Sequence, residues 1–312
     1  MKGMDLLMNL SHRFNQIKYY FNRYGFWKSL LKCLKRIFRI KDKELYTDKE
    51  AYQMWIENNE LKLSEINDIR KTRFEKEPLI SIIVPMYNTN ENYFKELVDS
   101  VVSQTYPHWE LCLADGSTEK NERLKDIYEK DNRIFYKFLG ENKGISGNTN
   151  EALKMANGKY IVLLDHDDLL PVTCLYEIVK TINEEKDVDF IYSDEDKITD
   201  SGERFDPYFK PDFSPETLSV HNYITHLVCF KKSLQEQVGL FDDGFNGAQD
   251  FDMVLRLTEK AKKIVHIPKI LYHWRAGEGS TATVADNKPY AYEAGRRAVE
   301  AHIKRLGRMR KS

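Results

Sequence analysis

Short apolar runs alternate with segments of helical period through the middle of this chain. Residues 79–84, 109–114, 134–138, 160–164 and 188–192 are apolar runs bounded by turn formers, the pattern of strands buried on both faces. Between them Phe94, Leu97, Val98, Val101 and Val102 recur at helix spacing. Residues 124–128 lie in a second helix, and about 146–156 form a third, with Gly158 as its stop signal. A fourth spans 171–183 and opens on Pro171. Such alternation predicts an α/β domain whose mostly parallel sheet is covered on both faces. Beyond residue 200 the rhythm loosens. Pro207, Pro211 and Pro215 sit among aromatics in a long excursion over 200–222. Then come a strand at 227–230, a helix at 251–260, a strand at 264–267 and a closing helix from about 289 to 306.

Two segments precede this domain. In residues 1–45 Ile17, Tyr20, Phe21, Tyr24, Trp27, Leu31, Leu34 and Phe38 recur at helical spacing, and Lys and Arg fill much of the remainder. A basic amphipathic helix with aromatics on its apolar face suits an anionic membrane surface; it equally suits packing on the main domain or on a second copy. Residues 46–77 form one further helix, polar and charged, acting as linker or brace. Pro78 ends it, so the expected divisions are 1–45, 46–77 and 78–312.

Composition narrows the class. The chain has 312 residues, 41% hydrophobic and 31% charged, with 48 Lys and Arg against 49 Asp and Glu. Nothing in that balance suggests a nucleic-acid binder, although the charge is unevenly spread and the ends are basic. The cysteines, Cys33, Cys112, Cys174 and Cys229, have no metal-ligand spacing, and such usage fits a reducing compartment. No apolar stretch is long enough to span a bilayer, and no signal peptide is visible.

The chemistry concentrates at predicted strand ends. Residues 160–164 run straight into Asp165-His166-Asp167-Asp168. Carboxylates this close repel unless a hard cation such as Mg²⁺ or Mn²⁺ lies among them; the alternative is a solvated acidic loop or a helix cap. In extended chain Asp165 and Asp167 converge while Asp168 points away or starts the turn. Pro85, Tyr87 and Asn88 end the first strand and Asp115-Gly116-Ser117 the second, on the same sheet edge, where open α/β sheets bind ligands. Gly116 there lets a backbone come close to a ligand. Asn142-Lys143-Gly144 opens a helix whose N-terminus attracts anions, without the three-glycine spacing of a dinucleotide fingerprint. Asp194-Glu195-Asp196 follows the strand through Tyr192 and adds acid to that edge. Asp250, at a helix start, is either an N-cap or a general base. His273 is either a metal ligand or a core histidine.

Taken in order, Ser81-Ile-Ile-Val-Pro-Met-Tyr-Asn88, Leu113-Ala-Asp-Gly-Ser117, Asn142-Lys-Gly-Ile-Ser146, Leu164-Asp-His-Asp-Asp168, Tyr192-Ser-Asp-Glu-Asp-Lys197, Gln249-Asp-Phe-Asp252 and Tyr272-His-Trp-Arg275 resemble the family-two glycosyltransferases with the GT-A fold. The likeness covers roughly residues 79–285 and is greatest to the bacterial branch that builds O-antigens, capsules and rhamnose-containing polysaccharides. It implies an inverting, metal-dependent enzyme. Such an enzyme moves a sugar from a UDP- or dTDP-linked donor to a hydroxyl of a growing, lipid-linked cell-surface polysaccharide. By position, Pro85, Tyr87, Asn88, Asp115, Lys143 and Asp165 would hold the nucleotide, and Asp165, Asp167, Asp168 and His273 the Mn²⁺ or Mg²⁺. Asp250 would be the general base, beside Gln249 where many members carry Glu. Ala114 stands where many members have a second acid, leaving base recognition to Asp115. The implied setting is cytoplasmic, peripheral at the inner face of the cell membrane, with no nucleic-acid partner and with self-association left open. Two rivals make other demands. A nucleotidyltransferase would carry a Gly-rich basic loop after the first strand, where this chain has Met86-Tyr87-Asn88-Thr89-Asn90. A non-catalytic nucleotide-sugar-binding or scaffold subunit would not need all these acids.

Overall fold

The computed structural model describes residues 47–276 and 289–307. The chain divides into two units, 1–51 and 52–312, the first described only at 47–51. The amphipathic expectation for 1–45, and Cys33, lie outside the described residues.

Residues 46–77 are not one helix. Helix α1 (Asp48–Asn59) ends and α2 (Leu63–Ile69) restarts, because Lys62 caps α2 and its amide donates to Glu65 Oε2 at 2.8 Å. From Tyr52 onward the segment is a brace. Trp55 packs on Phe209 with ring centroids 5.0 Å apart, and Phe74 packs on Tyr176 at 5.4 Å.

Among the described residues the main unit has eight strands: β1 (Ile80–Met86), β2 (Trp109–Asp115), β3 (Ile134–Phe138), β4 (Tyr160–Leu163), β5 (Phe190–Ile198), β6 (Arg204–Tyr208), β7 (Val228–Lys231) and β8 (Ile264–Arg275). The helices between them are α3 (Glu91–Val102), α4 (Lys125–Tyr128), α5 (Gly144–Met155), α6 (Cys174–Glu184), α7 (Pro215–Leu218), α8 (Lys232–Val238), α9 (Gln249–Lys260) and α10 (Pro289–Arg305). One sheet runs in the order β3-β2-β1-β4-β7-β5-β6, and β8 pairs with β5. Strands β3, β2, β1 and β4 are parallel; β7 enters antiparallel between β4 and β5, and β8 lies parallel to β5.

Alternation along the buried strands sorts two layers. Ile80, Ile82, Val84 and Met86 face the core that contains Phe94, Leu97, Val98 and Val101 of α3 and Ile178 of α6. Ile83, Cys112, Ala114 and Ile161 face the other core, with Ala152 and Leu153 of α5 and Met253 and Leu257 of α9. The result is the expected αβα sandwich with a mostly parallel sheet.

Two strands are longer than their apolar runs. β5 continues through Asp194, Glu195 and Asp196, and β8 through Tyr272, His273, Trp274 and Arg275. The acids expected to follow the strand at Tyr192 are thus inside it, and each is buried against a partner. Asp194 meets His266 at 2.8 Å, Glu195 meets Lys210 at 3.1 Å, and Asp196 meets Arg204 at 2.6 Å. A charged residue is retained in a strand when a distant chain segment neutralises it, and local pattern carries no sign of that partner.

Candidate active site

The carboxyl ends of β1 and β4 open a cavity of about 730 Å³. Pairing between β1 and β4 stops at Ile83 and Leu163, while β1 remains registered to β2 as far as Met86 and Asp115. Pro85 therefore sits where no ladder bond from β4 is needed, which suits a residue without an N–H. Pro85, Asp165, Asp167, Gln249 and Asp250 line the cavity, the last two from the start of α9.

The acid cluster is arranged differently from strand alternation. Strand β4 ends at Leu163 and residues 166–167 turn, with the Asp168 amide donating to the Asp165 carbonyl at 3.3 Å. A turn brings residue i+3 back beside residue i, so Asp168, not Asp167, joins Asp165. Their carboxylates and the His226 imidazole place donor atoms within 4.8 Å of one another. Asp167 lines the cavity, and its carbonyl accepts from Arg275 Nε at 2.7 Å.

Tyr272 organises this cluster from β8. Its hydroxyl donates to Asp168 Oδ2 and accepts the Asp165 amide at 3.2 Å. Its ring stacks on His226, centroids 4.5 Å apart. Asp168 is fully buried and also accepts the Arg275 amide at 2.7 Å. Burial and the charges of Asp165 and Asp167 push its carboxyl well above the usual range, against the lowering effect of Tyr272 and Arg275. A divalent cation fits this donor set: two carboxylates and an imidazole, with unrelieved negative charge.

His226 had no signal in the sequence beyond being a histidine. It comes from the segment after α7 and is held by a buried ion pair. Glu195 Oε2 accepts its amide at 2.9 Å and the Thr225 hydroxyl at 2.8 Å. Lys210 Nζ donates to the Ile224 carbonyl at 2.6 Å and to the His226 carbonyl. Thr225 adopts φ 40°, a strained conformation for a β-branched residue.

Asp250 is the second residue of α9 and partly buried. The cap is Ala248, without a side-chain bond, so Asp250 is not the N-cap. Burial raises its carboxyl and Asp165 adds to that; His226 and the Phe251 amide oppose. Asn222 Nδ2 donates to Asp250 Oδ2 at 3.3 Å.

Two of the remaining candidates, Asp115 and Asn88, meet at Ser117. Asp115 is buried; Oδ1 accepts the Ser117 amide and hydroxyl at 2.9 and 2.6 Å, and Oδ2 accepts the Tyr136 hydroxyl at 2.6 Å. Asn88, at φ 48°, donates its amide to Ser117 Oγ at 2.8 Å, and Tyr87 beside it is exposed. Lys143 Nζ is drawn to Glu151 at 3.4 Å and does not line the cavity. His273 gives Nδ1 to Asp196, away from the Asp165–Asp168–His226 group. Gly116, expected to admit a ligand, admits Asn148 instead: a Cβ there would lie 2.4 Å from Asn148 Nδ2.

Residues 81–239 match the model of the family described as Glycosyl transferase family 2. The O-antigen biosynthesis protein RfbC of Myxococcus xanthus is 32% identical over 238 residues, 75% of this chain and 19% of that protein. The chain spans about a quarter or less of the length of several such curated relatives. Among solved structures, residues 1–349 of S. aureus TarS in complex with UDP-GlcNAc superpose with a TM-score of 0.58 at 22% identity, covering 72% of this chain and 66% of that one. The mannosyltransferase PcManGT of Pyrobaculum calidifontis, in complex with GDP-Man and Mn²⁺, gives 0.52 at 18% identity, over 80% of this chain and 71% of that one. These two likenesses concern the fold.

Proposed function

The chain belongs to glycosyl transferase family 2, and on that premise we propose that it is an inverting enzyme of polysaccharide assembly. It moves a sugar from a UDP- or dTDP-linked donor to a hydroxyl of a growing, lipid-linked cell-surface polysaccharide. The observation that carries the proposal is one cavity lined by both the cation-type acid cluster, through Asp165 and His226, and the partly buried Asp250. The naming of a Myxococcus relative for O-antigen biosynthesis supports the choice of polymer.

Pro85, Tyr87, Asn88 and Asp115 mark the nucleotide end of the site. Asp165, Asp168 and His226 would hold Mn²⁺ or Mg²⁺ against the donor diphosphate, and Asp167 lies beside them. When bound, the cation supplies positive charge where the leaving phosphate gains negative charge. Asp250 takes the proton of the acceptor hydroxyl. That oxygen bonds to the anomeric carbon as the bond to the diphosphate breaks, and the electron pair leaves on the nucleoside diphosphate. Attack from the face opposite the leaving group inverts the anomeric configuration. His273 and Lys143, held by Asp196 and Glu151, serve the scaffold around the site.

Residues 1–45 would attach the enzyme to anionic lipid at the inner face of the membrane. No helix among the described residues is long and apolar enough to cross a bilayer. The test of the central claim is a thermal-shift screen of UDP- and dTDP-sugars with Mn²⁺ present. A cognate donor at 100 times its dissociation constant adds about 2.7 kcal/mol. If no UDP- or dTDP-sugar shifts the melting temperature and none is hydrolysed, the proposed donor class fails.

A further inference from the structure

Helix α10 delivers two tyrosines to the same cavity, beside Asp250. Tyr290 and Tyr292 line it together with Gln249 and Asp250. Both rings are open to solvent, Tyr290 at 58% and Tyr292 at 82%. Aromatic rings that serve a core are enclosed; these are displayed on a concave wall, where an apolar face is available to a ligand.

Their placement relative to Asp250 is fixed by packing. Ala294 and Ala298, one and two turns further along α10, are fully buried in the core shared with Met253, Val254 and Leu257 of α9. Glu259 of α9 holds His302 at 2.6 Å and Arg305 at 2.8 Å, and Arg297 donates to the Gly244 carbonyl at 2.8 Å. The first turn of α10 comes down onto Gly247, which has φ +96°. A Cβ at 247 would stand 2.7 Å from the Tyr290 ring and 3.1 Å from the Ala291 Cα, so only glycine allows this approach. The aromatic pair and the candidate base are thus carried on two helices locked to each other.

We infer that Tyr290 and Tyr292 form the acceptor subsite, a stacking surface for a pyranose ring whose hydroxyl is presented to Asp250. The class of acceptor follows from the surface. A pyranose offers an apolar face of C–H groups that packs on an aromatic ring, while a short alcohol or an acidic peptide gains little there. This reading rests on the transferase assignment above and extends it from the donor to the acceptor.

The experiment measures two affinities on the full chain and its Tyr292→Ala, Tyr292→Phe and Tyr290→Ala/Tyr292→Ala variants. UDP binding with MnCl₂ is followed by calorimetry, and saccharide binding on an array of bacterial capsule and O-antigen fragments. Tyr292→Ala is expected to weaken glycan binding about tenfold, the scale of one lost aromatic stacking contact. The double variant loses it further, and Tyr292→Phe keeps it because the ring does the packing. UDP affinity is the same in all four, which also shows that the variants are folded. Equal glycan binding by wild type and Tyr292→Ala would overturn the inference, as would a parallel loss of UDP binding or equal loss in Tyr292→Phe. So would a wild-type chain that holds UDP but no glycan. A wild-type chain that binds neither UDP nor dTDP overturns the proposed donor reading itself, and this inference with it.

Discussion

The Tyr272 hydroxyl stands 2.5 Å from Asp168 Oδ2 and donates to it, and the same oxygen accepts the Asp165 amide. One side chain of β8 thereby sets how the carboxylates after β4 face each other. Burial and the charges of Asp168 and Asp165 hold the Tyr272 phenol well above its ordinary range, so it remains a donor. Tyr272→Phe removes that donor without emptying the space. Groups that orient metal ligands typically govern about 10- to 100-fold in affinity, and a loss of that size in Mn²⁺-dependent UDP binding is expected by calorimetry. Unchanged affinity would show that Tyr272 only packs.

The grouping of Asp165, Asp168 and His226 predicts an order among single variants. Asp168→Asn and His226→Ala should each weaken Mn²⁺-dependent UDP binding more than Asp167→Ala, with the fold retained as judged by circular dichroism. The reverse order would return the site to the alternation pattern of an extended strand.

That pattern marks how far the chain could be read. The strands β1 to β4 and helices α3, α5 and α6 follow from apolar runs and 3.6-residue spacing, because each is buried by its own neighbours in sequence. The choice of Asp168 over Asp167 depends on a turn over 165–168, the strand having ended at Leu163, one residue before the apolar run does. His226 depends on Glu195 and Lys210, which lie 31 and 16 residues away. Nothing local announces it. The continuation of β5 through three acids is equally hidden, since its partners come from β6, β8 and the segment after β6.

The Lys210–Glu195 pair gives a third prediction. Lys210 is buried, which lowers its ammonium pKa, and Glu195 pulls in the other direction. Lys210→Met leaves Glu195 buried without its cation, and breaking one half of such a pair costs on the order of 3–5 kcal/mol. Urea denaturation measures it. Adding Glu195→Gln to Lys210→Met should recover part of the loss, and no recovery would mean the lysine acts by packing alone.

Asp196 joins the brace to β8. Its Oδ2 accepts the Tyr52 hydroxyl at 2.5 Å and Arg204 Nε at 2.6 Å. Burial alone would raise the carboxyl, but His273, Arg204 and Tyr52 outweigh that and lower it. With a depressed folded pKa, the unfolded chain takes up the proton first. The stability from this group is therefore present above the ordinary aspartate value, and is lost as pH falls below it. Asp196→Asn should flatten the acid side of the stability–pH curve and lower stability at neutral pH. An acid limb as steep as in wild type would place the titration elsewhere.

The final prediction separates Asp250 from Asp252, two residues along the same helix. Asp252 is buried and paired with Arg256 at 2.7 Å, on the face of α9 that packs inward. Asp252→Asn leaves Arg256 without its charge partner, so it should lower stability while the remaining folded enzyme turns over normally. Asp250 stands the other way. Its carboxyl is raised by burial, meaning that folding disfavours its charge, and it is not the cap of α9. An acid in a first turn gains about 0.3–1 kcal/mol from the helix dipole, which opposes that penalty. Asp250→Asn should therefore stay within about 1 kcal/mol of wild type by urea denaturation, while transfer falls roughly 10²–10⁴-fold. UDP binding should persist, because the nucleotide end of the cavity is untouched. A group that costs stability little and turnover heavily is one retained for the reaction. If instead Asp252→Asn abolishes transfer in fully folded protein and Asp250→Asn remains active, the proton passes to another group and the assignment of the base fails.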